Sequence, residues 1–463
     1  MPFPNAAYDT ALGQLQRGRG LGFLIAQDLP RSKARRLLTS CILDDPRMDI
    51  QCEERSESYA DLALKLDLDL DPLVQRLREV RGDEDQEYQS GLVNDTLGAM
   101  AERGSTAAAE ILLEVVRQAH RWDVCLDALV STGDAELCVR LARIIESRFS
   151  TPESLRSALE WQYPENPAWK RLATLNDRIL DALQFCTEGR RRRNEERDER
   201  IVWLRTLNLR GLIQHACTSN QHIPREIVQA VVRPEDTAYL QNEVSRWESN
   251  WAAYTALAAL EAVATPDLLD WLIETMLRHP KSRRTNHWRF IQILLTLPAP
   301  VLLPLANKYW THVDPRLDRI SWQILAEHAD RSDLPRLSAR LPKLLEDECE
   351  NHYAICEISR AIGRSPDVGP IPELQSAYER VEHSCSRWYI VPALRRTDPD
   401  GFRETYATEC LWDCEARVRD EAVEAASLTA PRAADRLADL AADPFESPEL
   451  RDLARKRLGQ TTA

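Results

Sequence analysis

Residues that suit the first turn of a helix recur at near-even intervals through the second half of the chain. They are Pro234, Pro266, Pro298, Ser332, Pro370, Pro399 and Pro431, separated by 32, 32, 34, 38, 29 and 32 residues. Proline is tolerated at that position because its missing N–H would have had no intrahelical partner there. Each is therefore read as opening a first helix. A second helix is expected to begin near Trp251, Trp288, Arg319, Tyr353, Trp388, Val418 and Leu450. A helix pair of this length leaves one apolar face uncovered until the next pair stacks on it, so the pattern constrains the chain to a stacked array. A chain of 463 residues is too long for one compact core, and such an array escapes that limit.

Composition supports an all-α reading. Only 15 glycines are present, the long segments are rich in Ala, Leu, Arg and Glu, and β-branched runs bounded by Asn-Gly or Asp-Gly turns are missing. The net charge of −14 disfavours a general nucleic-acid binder, because phosphate contacts dominate that affinity. The 11 cysteines are odd in number and scattered, which reads as reduced thiols in a cytoplasmic protein and not as a disulfide framework. The strong preference for arginine over lysine suggests a GC-rich, bacterial coding source. No signal peptide is expected from MPFPNAAYDT. The uncharged stretch 290–307 imitates a membrane span, but Pro298 and Pro300 fit a turn between two buried helices, so no membrane role is expected.

Three regions are expected: an N-terminal helical repeat array over 1–188, a charged linker or helix start at 189–200, and a C-terminal repeat array over 201–463. Within the first, helices are expected at 31–43, 50–66, 86–102, 152–161 and 167–186, with Gly104 and Gly133 as C-terminal stops. The RGRGLGF segment around Gly18, Gly20 and Gly22 matches no phosphate-binding loop and reads as a helix break. Asp67, Asp69 and Asp71 lack the glycine and terminal Glu of a calcium loop. Asp83, Glu84, Asp85 and Glu87 read as a solvated turn.

The clearest helix pair is 413–428 followed by 431–443. Asp413 is followed by Val418-Arg419, then Ala422-Val423 and Ala426. This resembles HEAT or armadillo repeats, especially their short bacterial form. The resemblance implies a right-handed α-solenoid of stacked antiparallel helix pairs whose second helices line a concave face. It implies no reaction.

Candidate binding residues fall into two sets. Arg278, Lys281, Arg283, Arg284, His287, Trp288 and Arg289 form a basic stretch with a stacking surface and no acid, suited to an anionic partner. Arg289, Arg319, Arg387, Arg419 and Arg451 occupy corresponding places in successive second helices, with Trp388 beside Arg387, and could make a basic ladder. Arg417, Arg419, Asp420 and Glu424 are expected at the surface. Trp122, Trp203, Trp251, Trp271, Trp310 and Trp322 read as inter-repeat packing. Cys349, His352, Cys356, His383, Cys385, Cys410 and Cys414 are soft ligands by type, but strong C-x-x-C pairs are absent, and buried structural cysteines are expected with no metal or cofactor. No G-x-S-x-G elbow or His-Glu pair is present. The expected function is a non-enzymatic scaffold that binds a protein partner. The alternative is a nucleic-acid-associated solenoid using the basic stretch around 278–290.

Overall fold

The computed structural model describes residues 6–50, 52–79, 91–118, 125–160, 167–246, 251–278 and 284–459. Side chains at 160 and 284–287 are not described. Asp83, Glu84, Asp85, Glu87, Trp122, Lys281 and Arg283 lie outside the described residues. The described residues form helices and connections with no strand among them. No described helix is long and apolar enough to cross a membrane.

The helix starts read from the proline spacing are present. Short 3-10 turns at Pro234–Asp236, Pro266–Leu268 and Arg331–Asp333 lead into the first helices Thr237–Arg246, Leu269–Arg278 and Leu334–Leu345. Pro298 caps Ala299–Tyr309, and Pro399 opens Pro399–Thr405. Near Pro370 and Pro431 the helices begin two residues later, as Pro372–Arg380 and Ala433–Ala442. The second helices are Trp251–Val263, Arg284–Leu295, Pro315–His328, Glu348–Ile362, Arg387–Thr397, Ala416–Ala425 and Pro448–Arg457.

The chain divides into two compact units, residues 1–188 together with 330–463, and residues 189–329. In the second unit, Trp251–Val263 packs on Thr237–Arg246, on Leu209–Ser219 and on Arg284–Leu295. Its sequence WAAYTALAALEAV explains why it can sit among so many neighbours. Ala252, Ala253, Ala256, Ala258 and Ala259 are buried, and small side chains let helix axes approach. Pro315–His328 pairs with Ala299–Tyr309 and also touches Arg284–Leu295. The uncharged 290–307 stretch is thus parts of two helices broken at 296–298. Residues 189–200 lie inside one continuous helix, Asp177–Leu204. Its Arg191–Glu195 pair, one turn apart at 3.0 Å, is the local spacing that supports a charged solvated helix.

In the first unit, Glu348–Ile362, Arg387–Thr397, Ala416–Ala425 and Pro448–Arg457 each touch the next in series. Arg31–Leu43 has the bounds expected from sequence, and Tyr59, Leu62 and Leu66 are buried on Arg55–Leu66. Gly104 and Gly133 take positive φ at helix ends, 91° and 78°, as C-terminal stops require. The 167–186 helix is broken, into Pro167–Ala173 and Asp177–Leu204.

Both chain ends build this first unit. Helix Gly20–Asp28 packs on the short helix Ala407–Cys410. Cys414 N–H donates to the Gly18 carbonyl at 3.0 Å. The RGRGLGF segment is therefore more than a helix break. Gly18 turns the chain at φ 66°, and Gly20 brings backbone onto backbone, since a Cβ there would meet the Glu409 carbonyl carbon at 2.6 Å.

Candidate functional site

In the second unit an arginine–aromatic row crosses three second helices. On Trp251–Val263, Trp251 and Tyr254 pack edge-on to each other and to His222, with ring centroids 5.1–5.4 Å apart. On Arg284–Leu295, the Arg289 guanidinium lies 4.5 Å from the Tyr254 ring and 3.6 Å from Glu261. On Pro315–His328, the Arg319 guanidinium lies 5.5 Å from Trp288 and 5.7 Å from Trp322. The recurrence follows from the sequence. Trp251, Tyr254, Trp288, Arg289 and Arg319 each occupy the first two turns of their helix, so stacked helices bring them side by side. Cation–π contacts of this kind contribute about 0.5–1 kcal/mol each at exposed sites.

The row is open to solvent. Trp251 is 36% exposed and Trp288 42%. Trp203, which packs edge-on to His215, is 45% exposed. Trp203 and Trp251 therefore depart from the packing role expected for them, whereas Trp322 is buried. Periodicity places an aromatic on a helix face but does not say whether a neighbour covers it. Burial, with Arg289 nearby, pulls His222 below its ordinary range, favouring a neutral ring in this row.

Of the basic stretch, Arg278 is exposed and pairs with Glu274 at 3.0 Å. Arg284 and His287 lie in the first turns of their helix. Arg289 is largely enclosed between Tyr254, Glu261 and Gln292.

The remaining candidates lie in the first unit. Arg387 is fully buried, and its fork binds Asp413 through Nε at 2.8 Å and Nη2 at 2.9 Å. It also donates to the carbonyls of Arg17 at 2.9 Å and Gly18 at 3.2 Å. Trp388 Nε1 donates to Glu415 at 2.9 Å, and Arg417 lies over its ring. Arg419, expected at the surface, is buried. It pairs with Glu446 at 2.8 Å and donates to the carbonyls of Asp413 and Cys414. The helix period puts Val418, Ala422 and Val423 inward as expected, but residue 446 arrives from the following pair and covers position 419.

These contacts belong to a larger buried charge cluster that the sequence reading did not find. Arg55 and Glu53 are both enclosed and pair at 2.6 Å. Glu53 also accepts from Ser384 N at 3.1 Å and Oγ at 2.9 Å. Arg17 pairs with Glu382, and Arg19 with Glu409. Glu348 accepts three backbone N–H bonds from Glu382 and His383. Burial would pull the Arg387 guanidinium down, but Asp413 holds it well above its ordinary value. Burial pushes the Glu348 carboxyl up to about 7, against the backbone donors that favour its charge. Arginines of residues 17–55 thus meet acceptors of 379–415. The one sequence signal for them was the arginine excess, since planar guanidinium forks suit buried carboxylates and carbonyls.

No protein-family model matches the chain, and neither curated proteins nor solved structures give a match.

Proposed function

We propose that the chain is a non-enzymatic, HEAT-like scaffold whose helix pairs stack as right-handed solenoid layers and bind a protein partner in the cytoplasm. The binding surface is the arginine–aromatic row of the second unit, which takes the place of the inner face expected from the repeat resemblance. The observation that carries this reading is the pair of half-exposed tryptophans, Trp251 and Trp288, set beside Arg289 and Arg319 on consecutive helices. Tryptophan, tyrosine and arginine are the residues enriched where binding energy concentrates. The partner class is a protein segment with an apolar anchor and acidic neighbours, since both cations in the row border aromatic faces. The net charge of −14 disfavours nucleic acid.

The test is affinity capture with full-length wild type and with Trp251→Ala, Trp288→Ala and Arg319→Glu. A hot-spot residue costs about 2 kcal/mol or more when truncated, so each change is expected to weaken binding roughly 30-fold. Trp251→Ala and Trp288→Ala also remove packing against Tyr254, His222 and Arg319 and should lower the melting temperature, so binding is compared at a temperature where each variant is folded. Capture that survives all three changes overturns the assignment of this face. Retention on nucleic acid that falls steeply with salt would instead establish the alternative.

A further inference from the structure

Cys52, His383 and Cys385 converge in the first unit. One ligand atom from each, two Sγ and a ring nitrogen, all lie within 4.8 Å of one another. The three come from two segments more than three hundred residues apart in sequence. His383 and Cys385 flank the first residue of a 3-10 turn, Ser384–Ser386, and the Cys52 N–H donates to the Asp49 carbonyl at 3.4 Å. The Cys385 thiol donates to the Cys52 carbonyl at 3.0 Å. His383 is 6% exposed, and its Nδ1 is buried with no hydrogen-bond partner among the described residues. A buried imidazole nitrogen left unsatisfied is costly and calls for a ligand.

The geometry points to a zinc site formed by Cys52 Sγ, Cys385 Sγ and a ring nitrogen of His383, joining the N-terminal loop to the second-helix array of the first unit. The donor set is that of zinc: two sulfurs and one imidazole, with a fourth position open to water. Two thiols lose their protons to solvent as the two Zn–S bonds form, and the imidazole binds neutral. The product, one divalent ion with two thiolates, adds no net charge to a cluster whose arginines and carboxylates are already paired. Glu53, bonded to Ser384 between the two ligands, supplies outer-sphere support. Cys52 borders a cavity of about 620 Å³, which gives the ion a route in.

The experiment uses the full-length protein purified under reducing conditions without chelator. Elemental analysis is expected to find zinc near one equivalent per chain. Cobalt(II) added to the zinc-free protein is expected to give the thiolate charge-transfer band and strong visible bands of a tetrahedral sulfur site. Cys52→Ser and Cys385→Ser should lose both signals and weaken binding beyond the roughly 10–100-fold of outer-sphere changes, while Cys217→Ser keeps them. Should those variants fail to fold, alkylation mapping of wild type decides: zinc should protect Cys52 and Cys385, and chelation should expose them, while exposed Cys349 reacts in both states. Absence of zinc and of the cobalt spectrum overturns the site. So does zinc that leaves both cysteines reactive, or a Cys52–Cys385 disulfide in the reduced preparation.

Discussion

Arg387→Ala is expected to destabilise the first unit by about 3–5 kcal/mol, the loss typical when one member of a buried ion pair is removed. Domains are stable by only about 5–15 kcal/mol, so the variant should unfold early in denaturant or collect in the insoluble fraction. The cause is specific. Asp413 would be left in a fully enclosed site with no guanidinium to meet it. The carbonyls of Arg17 and Gly18 would lose donors at the same time. The measurement is chemical denaturation of the full-length chain, with Asp413→Leu and the Arg387→Met/Asp413→Leu double variant beside it. The double variant should recover more than half of the loss, because two apolar side chains leave no buried charge. Recovery will fall short of complete, since Asp413 also accepts the Glu415 N–H at 3.0 Å. Additive losses in the two single variants would show that the pair is not coupled.

Gly20→Ala is the second large effect, and its sign separates two physical terms. Gly20 begins the helix Gly20–Asp28, where intrinsic propensity favours alanine by up to about 1 kcal/mol. Packing opposes it. The added methyl would enter the Glu409 carbonyl and crowd the Asp413 nitrogen, both backbone groups that cannot rotate aside. Overpacking of this kind costs about 1–3 kcal/mol, so a net loss of stability is expected. Gly189→Ala is the comparison. Gly189 lies within Asp177–Leu204, and a methyl there meets only the tip of the Arg193 side chain, at 3.7 Å. That change should stabilise by about 0.5–1 kcal/mol. Thermal melts of both variants test the contrast. If Gly20→Ala raised the melting temperature, the docking of the N-terminal segment on residues 407–414 would be wrong.

Much of the helical layout was legible because its signals are local. Proline spacing located the first helices within about two residues, and the 3.6-residue period identified Val418, Ala422 and Val423 as core. The same period placed Arg289 and Arg319 in matching turns of consecutive second helices. It did not show what these arginines, or Arg387 and Arg419, meet in the fold: Arg289 and Arg419 are both largely enclosed, and Arg387 wholly so. Whether an arginine at that position meets solvent depends on what covers it. For Arg419 the cover is Glu446, and for Arg387 it is the backbone at Arg17 and Gly18. The zinc ligands show the same limit. His383 and Cys385 stood out by residue type, but Cys52 joins them only through the chain path.

The sequence alone determined that this protein is helical, where its helices begin, and which face of each is apolar, because these follow from backbone stereochemistry and periodicity over a few turns. The tertiary structure decided that residues 1–188 share a compact unit with residues 330–463. It decided that Gly20 packs against Glu409, and it placed some arginines in a buried charge cluster of the first unit and others in an aromatic row with part-exposed tryptophans in the second. These outcomes rest on burial and charge pairing between segments hundreds of residues apart, and no local pattern encodes which distant carboxylate a guanidinium will meet.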